Sequence, residues 1–286
     1  MTIRDHLREA RQQLAAAGIP EDEAVRDAAL LARHVLGWDR ARLVVGEPDP
    51  APPAFADAYA RLVARRAARE PVAYLRGVQE FYGRDFAVSS AVLIPRPETE
   101  FAVEEALACL AELDMPPEPR VVDVGTGSGC IGITLALEWP SAHVVGTDIS
   151  ETALAVAQAN AARHGVDGRL TWWHGPYLAG LAPPLDLVVS NPPYVADHYV
   201  DALVPEVADH EPHVALFGGR DGLRDVRELV RQAGERLRPG GWLVMEIGDA
   251  QDEAVRRLIA DTPGLTLVRM RDDLQGIPRT AVLRRR

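Results

Sequence analysis

The chain has 286 residues and a formal net charge of −11, with 47% hydrophobic and 26% charged residues. This composition is typical of an ordinary globular protein, and the negative charge argues against a broad nucleic-acid-binding surface, which usually needs a basic face. The chain contains arginine but no lysine, which excludes a Walker lysine, a Schiff-base lysine and a lysine general base.

Residues 2–70 have the pattern of helices joined by short loops. The apolar residues of the first predicted helix recur at helical spacing: Ile3, Leu7, Ala10 and Leu14. Further helices are predicted over 21–36, before Gly37, and over 55–69. We therefore assign residues 1–70 to an N-terminal helical bundle. The last helix carries four arginines, which we interpret as a solvated face: Arg61, Arg65, Arg66 and Arg69.

Residues 71–97 have a different composition. Aromatic and β-branched residues surround Gly83, and this pattern predicts a β-hairpin or an extended linker. Pro97 is placed to open a helix predicted over 98–113.

From residue 119 onward, apolar strands alternate with amphipathic helices. The predicted strands are 120–124, 143–148, 170–173, 185–190, 241–247, 265–270 and 280–283. The predicted helices between them include 152–164 and 223–237. The alternation predicts an α/β fold with a doubly wound, mostly parallel seven-stranded sheet in residues 98–286. The last two strands have no room for a crossover helix and should pair antiparallel.

The sequence also predicts where the protein resides. No apolar run approaches the ~20 residues of a membrane-spanning helix, and the charged start of the chain lacks the apolar core of a secretory signal. Cys109 and Cys130 are too few for a disulfide framework or a cysteine-ligated metal. His210 and His213 flank a proline that breaks helical ligand geometry. We expect a cytoplasmic protein that has no metal site and does not associate with membranes.

A glycine-rich turn follows the strand at 120–124 and opens a helix. Gly125, Gly127 and Gly129 permit a tight turn and close approach to a ligand, and the helix N-terminus offers free N–H groups. Asp148 ends the next strand, where a carboxylate can accept both hydroxyls of a ribose. By itself this motif fits NAD or S-adenosylmethionine, or no cofactor; the overlapping glycines after Asp123 favour the methyl donor.

The segment Asn191-Pro192-Pro193-Tyr194 follows the fourth strand of the sheet and should border the same crevice as Gly125. An amide nitrogen is a weak nucleophile because its lone pair is delocalised. Two acceptors, the Asn191 side-chain oxygen and the Pro192 carbonyl, would stabilise the positive charge that develops during methyl transfer. The adjacent prolines fix φ, and Tyr194 offers a flat face for a planar group. The pattern predicts methylation of an amide or an exocyclic amine.

Together these residues resemble the class I methyltransferase fold with an amino-methylating site. Four longer segments resemble the peptide chain release factor N5-glutamine methyltransferases, the PrmC/HemK family: residues 70–100, 204–223, 237–248 and 272–279. The similarity covers essentially the whole chain.

The resemblance implies a substrate, the glutamine in the Gly-Gly-Gln loop of class I release factors, and a partner-docking role for the helical domain. It implies that the loop from Gly125 through Thr126, Gly127 and Ser128 to Gly129 holds the methionine part of S-adenosylmethionine. It further implies that Asp148 binds the ribose, that Asn191 to Tyr194 bind the glutamine beside the cofactor, and that residues 94–100 cover the pocket.

The sequence departs from the family at one place. An acidic–aromatic pair usually follows the third strand, near the adenine, whereas this chain has Pro176 and Tyr177 without an acid. We expect the adenine to stack on Tyr177 and Tyr177→Ala to weaken cofactor binding more than Pro176→Ala.

Three rival functions remain open on the sequence. One is the same chemistry on a ribosomal-protein glutamine or on adenine in nucleic acid, and the net charge of −11 disfavours the nucleic acid. Another is an NAD-dependent oxidoreductase, which would leave the Asn-Pro-Pro-Tyr segment unexplained. The third is a catalytically silent binding module that keeps the fold; the altered stretch at Pro176 allows it, whereas the intact Asn191 and Asp148 disfavour it.

Overall fold

A computed structural model describes residues 1–112 and 116–286, in which the chain divides into two units. The helical unit comprises residues 1–78 together with 204–210, and the sheet unit comprises residues 79–203 and 211–286. Each has a hydrophobic core of its own.

The helical unit begins with five helices: α1 (Ile3–Ala16), α2 (Glu21–Leu36), α3 (Arg40–Gly46), α4 (Phe55–Ala67) and α5 (Val72–Arg76). The Thr2 hydroxyl and the Asp5 carboxylate cap each other's backbone N–H at the start of α1, and Gly37, with φ of 65°, ends α2. The predicted bundle is therefore confirmed. Helices α3 and α5 were not predicted, because segments this short contain too few turns to show a period.

The prediction for the arginine face of α4 is wrong at Arg66, which is only 3% exposed. Its guanidinium contacts Asp27 at 2.7 Å and Glu206 at 2.6 Å, and Arg69 also contacts Glu206 at 2.7 Å. Glu206 lies in residues 204–210, a segment that is distant in sequence but belongs to the helical unit. A buried guanidinium requires such carboxylate partners, and the sequence spacing of the arginines does not reveal them.

The sheet unit contains a hairpin, a seven-stranded sheet and the helices that cover the sheet. Its strands are β1 (Val78–Phe81), β2 (Arg84–Ala87), β3 (Arg120–Val124), β4 (His143–Asp148), β5 (Leu170–His174), β6 (Leu185–Ser190), β7 (Leu237–Glu246), β8 (Leu265–Asp272) and β9 (Pro278–Arg285). Its helices are α6 (Thr99–Leu110), α7 (Cys130–Glu138), α8 (Glu151–Arg163), α10 (Arg224–Arg236) and α11 (Asp252–Ala260); the short α9 (Pro205–Ala208) lies in the helical unit. The predicted end of α6, at residue 113, lies outside the described residues.

The strand order of the large sheet is β5-β4-β3-β6-β7-β9-β8. Strands β3 to β7 pair in parallel, and β9 pairs antiparallel with both β7 and β8. The predicted fold class and the antiparallel final pair are confirmed. The last three strands are longer than predicted, because their end residues are polar and a search for apolar runs does not detect them.

Side chains alternate between the two faces of this sheet. On β3, for example, Val121 packs in the core beneath α6, α7 and α8, whereas Val122 and Val124 pack in the core beneath α10 and α11. The predicted hairpin, β1 and β2, places Phe81 and Phe86 in the first of these cores.

Across residues 1–112 and 116–286, no helix has the length and apolar character needed to cross a membrane.

Candidate active site

A cavity of about 300 Å³ lies in the sheet unit where the strand order reverses, between β3 and β6. Open parallel sheets bind ligands at this position, outside the carboxyl ends of the strands. The lining includes these predicted site residues: Gly125, Thr126, Gly127, Ser128, Asp148, Pro176, Tyr177, Asn191, Pro192 and Pro193. Two other predicted residues that the structure describes, Gly129 and Tyr194, lie outside the lining.

The glycine turn after β3 forms one wall of the cavity. Gly125 and Gly127 have φ of 69° and 54°, which disfavours any residue with a Cβ. A Cβ on Gly125 would meet no atom within 4 Å, so the turn leaves open space on its cavity side. A Cβ on Gly129 would instead lie 2.7 Å from the Ile133 Cδ1. Gly129 thus serves the packing of the turn against α7, not the cavity.

Asp148 ends β4 and adjoins the glycine turn. Its Oδ2 accepts the Gly127 N–H at 3.0 Å and its Oδ1 accepts the Ser150 N–H at 2.9 Å. Each carboxylate oxygen keeps a further lone pair for a ligand hydroxyl. Burial raises the pKa of Asp148 above its usual range, against the lowering effect of these backbone N–H groups. The carboxylate is therefore aligned by the turn it borders.

The wall formed by residues 175–177 has a carboxylate that comes from elsewhere in the chain. The Tyr177 hydroxyl donates to Asp225 Oδ1 at 2.7 Å, and both residues line the cavity. Asp225 is in the first turn of α10 and is 7% exposed. Burial and this neighbour raise the pKa of Tyr177 far above its usual range. Sequence reasoning missed Asp225; its place in the first turn of a helix is ordinary for an acid.

The Asn-Pro-Pro-Tyr turn is packed against the glycine-rich segment at 217–222. Val195 N–H donates to the Leu216 carbonyl at 2.9 Å, and Gly218 N–H donates to the Val195 carbonyl at 2.9 Å. A Cβ on Gly218 would lie 2.4 Å from the Pro193 oxygen, and one on Gly222 would lie 2.2 Å from the Tyr194 oxygen. Both glycines are therefore required for the backbone to approach this turn.

We predict that Gly222→Ala lowers the free energy of unfolding by about 3 kcal/mol, from the positive φ and the overlap with the Tyr194 carbonyl together. Gly276→Ala is the matched control. Gly276 also has a positive φ, 80°, but a Cβ there meets nothing within 4 Å, so its cost should be only about 1 kcal/mol. Urea unfolding of both variants measures the difference, and equal losses would contradict the packing argument.

A buried carboxylate lies behind the Asn-Pro-Pro-Tyr turn. Glu246, at the end of β7, is 1% exposed. Its Oε1 accepts the Tyr194 hydroxyl at 3.0 Å, and its Oε2 accepts the Thr99 hydroxyl at 2.6 Å. The Asn191 Nδ2 in turn donates to Thr99 Oγ1 at 3.1 Å. Burial raises the pKa of Glu246 to about 6 and that of Tyr194 far above its usual range, so Tyr194 is not a base.

The segment before α6 forms a further wall of the cavity. Val92, Pro95 and Arg96 are part of the lining. The Ile94 N–H donates to Glu211 Oε2 at 3.1 Å, and Arg96 forms an ion pair with Glu211 Oε1. The buried Glu211 thus fixes the path of this segment along the cavity.

The geometry resolves into three parts: a glycine turn with an aligned carboxylate, a wall with Tyr177 and Asp225, and an oriented asparagine followed by two prolines. All three parts border the one cavity at the point where the strand order reverses.

Comparison with known proteins agrees with this arrangement. Residues 5–77 match the family model described as the PrmC N-terminal domain, and residues 105–210 match the model described as the methyltransferase small domain. The chain is 47% identical to the release factor glutamine methyltransferase of Cereibacter sphaeroides, with 96% of each chain covered. It is 43% identical to that of Koribacter versatilis, with 100% of this chain and 99% of the relative covered.

The chain belongs to the release factor glutamine methyltransferase family.

A solved methyltransferase from Pyrococcus furiosus is 18% identical, with a TM-score of 0.53 and coverage of 80% of this chain and 98% of that one. At this identity the likeness bears on the fold alone.

Membership of the release factor glutamine methyltransferase family decides between the two cofactors that the glycine turn allows: the enzyme depends on S-adenosylmethionine. The residues present fit that cofactor, because the glycine turn leaves open space and Asp148 offers aligned acceptors at the edge of the same cavity.

Proposed function

We propose that this enzyme methylates the side-chain amide nitrogen of the glutamine in the Gly-Gly-Gln motif of class I peptide chain release factors. The support is membership of the release factor glutamine methyltransferase family, because relatives with that name align with this chain over nearly their full length. The observation that carries the proposal is the orientation of Asn191. This residue lines the cavity, and its amide nitrogen donates to Thr99, which leaves its side-chain oxygen free to accept a hydrogen bond from a substrate amide.

Bound S-adenosylmethionine would supply an electrophilic methyl group. The chain's own contribution is to bind, orient and stabilise. Asn191 Oδ1 and the Pro192 carbonyl accept the two N–H groups of the substrate amide, which aligns the nitrogen lone pair and stabilises charge that develops on nitrogen. Pro192 and Pro193 hold that carbonyl rigidly. Tyr194 supports this turn through its hydrogen bond to Glu246 and is not a base. None is needed before transfer, because the methylated amide nitrogen is very acidic and loses its surplus proton to water once the methyl–sulfur bond has broken and the donor is left as a neutral thioether.

We assign the cofactor contacts by position around the cavity. The turn from Gly125 to Ser128, whose four residues all line the cavity, holds the methionine part. Asp148 accepts the ribose hydroxyls, and Tyr177, held by Asp225, stacks on the adenine. Asp225 takes the place of the acid that the sequence lacks beside Pro176.

The Tyr177 assignment predicts the effect of three variants on cofactor affinity. Tyr177→Ala should raise the dissociation constant of S-adenosylmethionine about 10-fold, because an aromatic face and its buried area are lost. Tyr177→Phe keeps the ring, and Pro176→Ala leaves it untouched, so both should change the constant by less than about 3-fold. Calorimetric titration measures all three, and a larger loss for Pro176→Ala would overturn the assignment.

The remaining parts of the proposal concern partner and location. We propose that the helical unit docks the release factor, which accords with its match to a family-specific N-terminal model and with the exposed Val44 and Val45 on α3. The net charge of −11 supports a protein substrate over nucleic acid. The buried free thiols Cys109 and Cys130 suit the cytoplasm.

The test is mass spectrometry of a purified class I release factor after incubation with the enzyme and labelled S-adenosylmethionine. We expect a single added methyl on the Gly-Gly-Gln glutamine. A release factor with asparagine in place of that glutamine is the control and should stay unmodified. Binding of S-adenosylmethionine without transfer would retain the chemistry and reject the substrate.

A further inference from the structure

Thr99, Glu246 and Asn191 come from distant parts of the chain and form one hydrogen-bonded row. Thr99 begins α6, Glu246 ends β7, and Asn191 follows β6, the strand that pairs with β7. Glu246 and Thr99 are 1% and 2% exposed, so the hydrogen bond between them is sheltered from bulk water, whereas Asn191 is partly exposed. Only Asn191 and Thr99 of the three line the cavity.

The direction of each hydrogen bond in the row follows from the chemistry of Glu246. An ionised carboxylate only accepts, so the Thr99 hydroxyl must donate its single proton to Glu246. The Thr99 oxygen is then left with lone pairs alone toward Asn191, and it can face only the Nδ2 of that amide. The Asn191 Oδ1 is thereby turned away from Thr99.

The same carboxylate also holds the far end of the turn. Its second oxygen accepts the Tyr194 hydroxyl, and the Gln251 Nε2 donates to the Tyr194 carbonyl at 2.9 Å. Burying a carboxylate is costly even when it is hydrogen-bonded. Here one carboxylate oxygen holds this segment directly at Tyr194, and the other holds it at Asn191 through Thr99.

We propose that Glu246, acting through Thr99, sets the orientation of the Asn191 amide, and that both are positioning residues for methyl transfer. The inference rests on the proposed role of Asn191 as an acceptor. Were the row reversed, Thr99 would donate to Asn191 Oδ1, and the Asn191 Nδ2 would face the substrate. A donor there would meet the N–H groups of the incoming amide, so productive binding would be lost.

Thr99→Val and Thr99→Ser form the matched pair that tests this, because valine has the shape of threonine without the hydroxyl. With the release factor as substrate, Thr99→Val should lower kcat roughly 10- to 100-fold. Thr99→Ser should stay within about 3-fold of the unaltered enzyme, and the dissociation constant of S-adenosylmethionine should change less than about 3-fold in both. An unchanged kcat in Thr99→Val would overturn the proposal. Equal damage from serine and valine, or a loss confined to cofactor affinity, would do so as well.

A second readout does not depend on the release factor being the substrate. The side-chain amide NMR signals of Asn191, assigned by their loss in Asn191→Ala, should shift as pH passes through the Glu246 pKa of about 6. Glu98, which raises this pKa, and Arg279, which lowers it, are the charged groups that act on Glu246. The shift should disappear in Glu246→Gln and in Thr99→Val. Its persistence in either variant would refute the relay even if no methyl transfer were found.

Discussion

Asn191→Ala is expected to lower kcat for methyl transfer roughly 100- to 1,000-fold, the range seen when a single oriented hydrogen-bonding group is removed from a site of developing charge. The variant loses the side-chain oxygen that we propose accepts a substrate N–H, and Thr99 loses the donor that it faces. The Pro192 carbonyl remains, so a small residual rate should persist.

Single-turnover kinetics with saturating S-adenosylmethionine measures this loss directly. The cofactor affinity and the melting temperature of Asn191→Ala are the internal controls, and both should stay close to those of the unaltered enzyme. A variant that binds the cofactor and still transfers methyl at more than about one tenth of the normal rate would remove Asn191 from the chemistry.

Asp148→Ala is expected to weaken binding of S-adenosylmethionine about 100-fold or more, because the proposed hydrogen bonds from two ribose hydroxyls to this carboxylate would be lost together. The glycine turn also loses the acceptor for the Gly127 N–H. Asp148→Asn is the matched variant, since it keeps the shape and one acceptor oxygen, and it should weaken binding only about 10-fold.

The pH dependence of cofactor binding provides an independent check on Asp148. Burial raises the pKa of this carboxyl above its usual range, and the backbone N–H groups of Ser150 and Gly127 act against the rise. In the proposed role the ionised form accepts the ribose hydroxyls, so the affinity for S-adenosylmethionine should be full above that pKa and fall as pH drops through it. Calorimetric titration across pH should show this fall in the unaltered enzyme and not in Asp148→Asn. A fall of the same size in Asp148→Asn would assign the titration to another group.

The glycine turn and the residues at the strand ends could be predicted from the sequence, because each is marked by a pattern of consecutive residues. Gly125 and Gly127 are recognisable since only glycine readily takes a positive φ in such a turn. Asp148 and Asn191 could be placed because each directly follows or ends an apolar strand, and parallel strands bring their carboxyl ends to one edge. Gly129 and Tyr194 were predicted from the same patterns, yet a pattern specifies neither that the Gly129 backbone packs against Ile133 nor which way the Tyr194 side chain faces.

The contacts that orient the site depend on packing between distant segments. Thr99 and Glu246 are 147 residues apart, and Tyr177 and Asp225 are 48 apart. No sequence spacing predicts either contact, because each forms only when distant segments of the chain pack together in the folded protein. The same holds for Gly222, whose need for a hydrogen side chain arises only from the Tyr194 carbonyl behind it.

The sequence by itself thus determined the fold class, the family resemblance and the segments that form the cavity, since periodicity, turn chemistry and strand ends are encoded in consecutive residues. The tertiary structure alone decided how the Asn191 amide is turned, which acid stands beside Tyr177 and how Arg66 is neutralised. Those outcomes depend on hydrogen-bond donors and acceptors that come into contact only after the helices and strands have packed. Once these groups are buried they must be paired, because an unpaired buried polar group is costly.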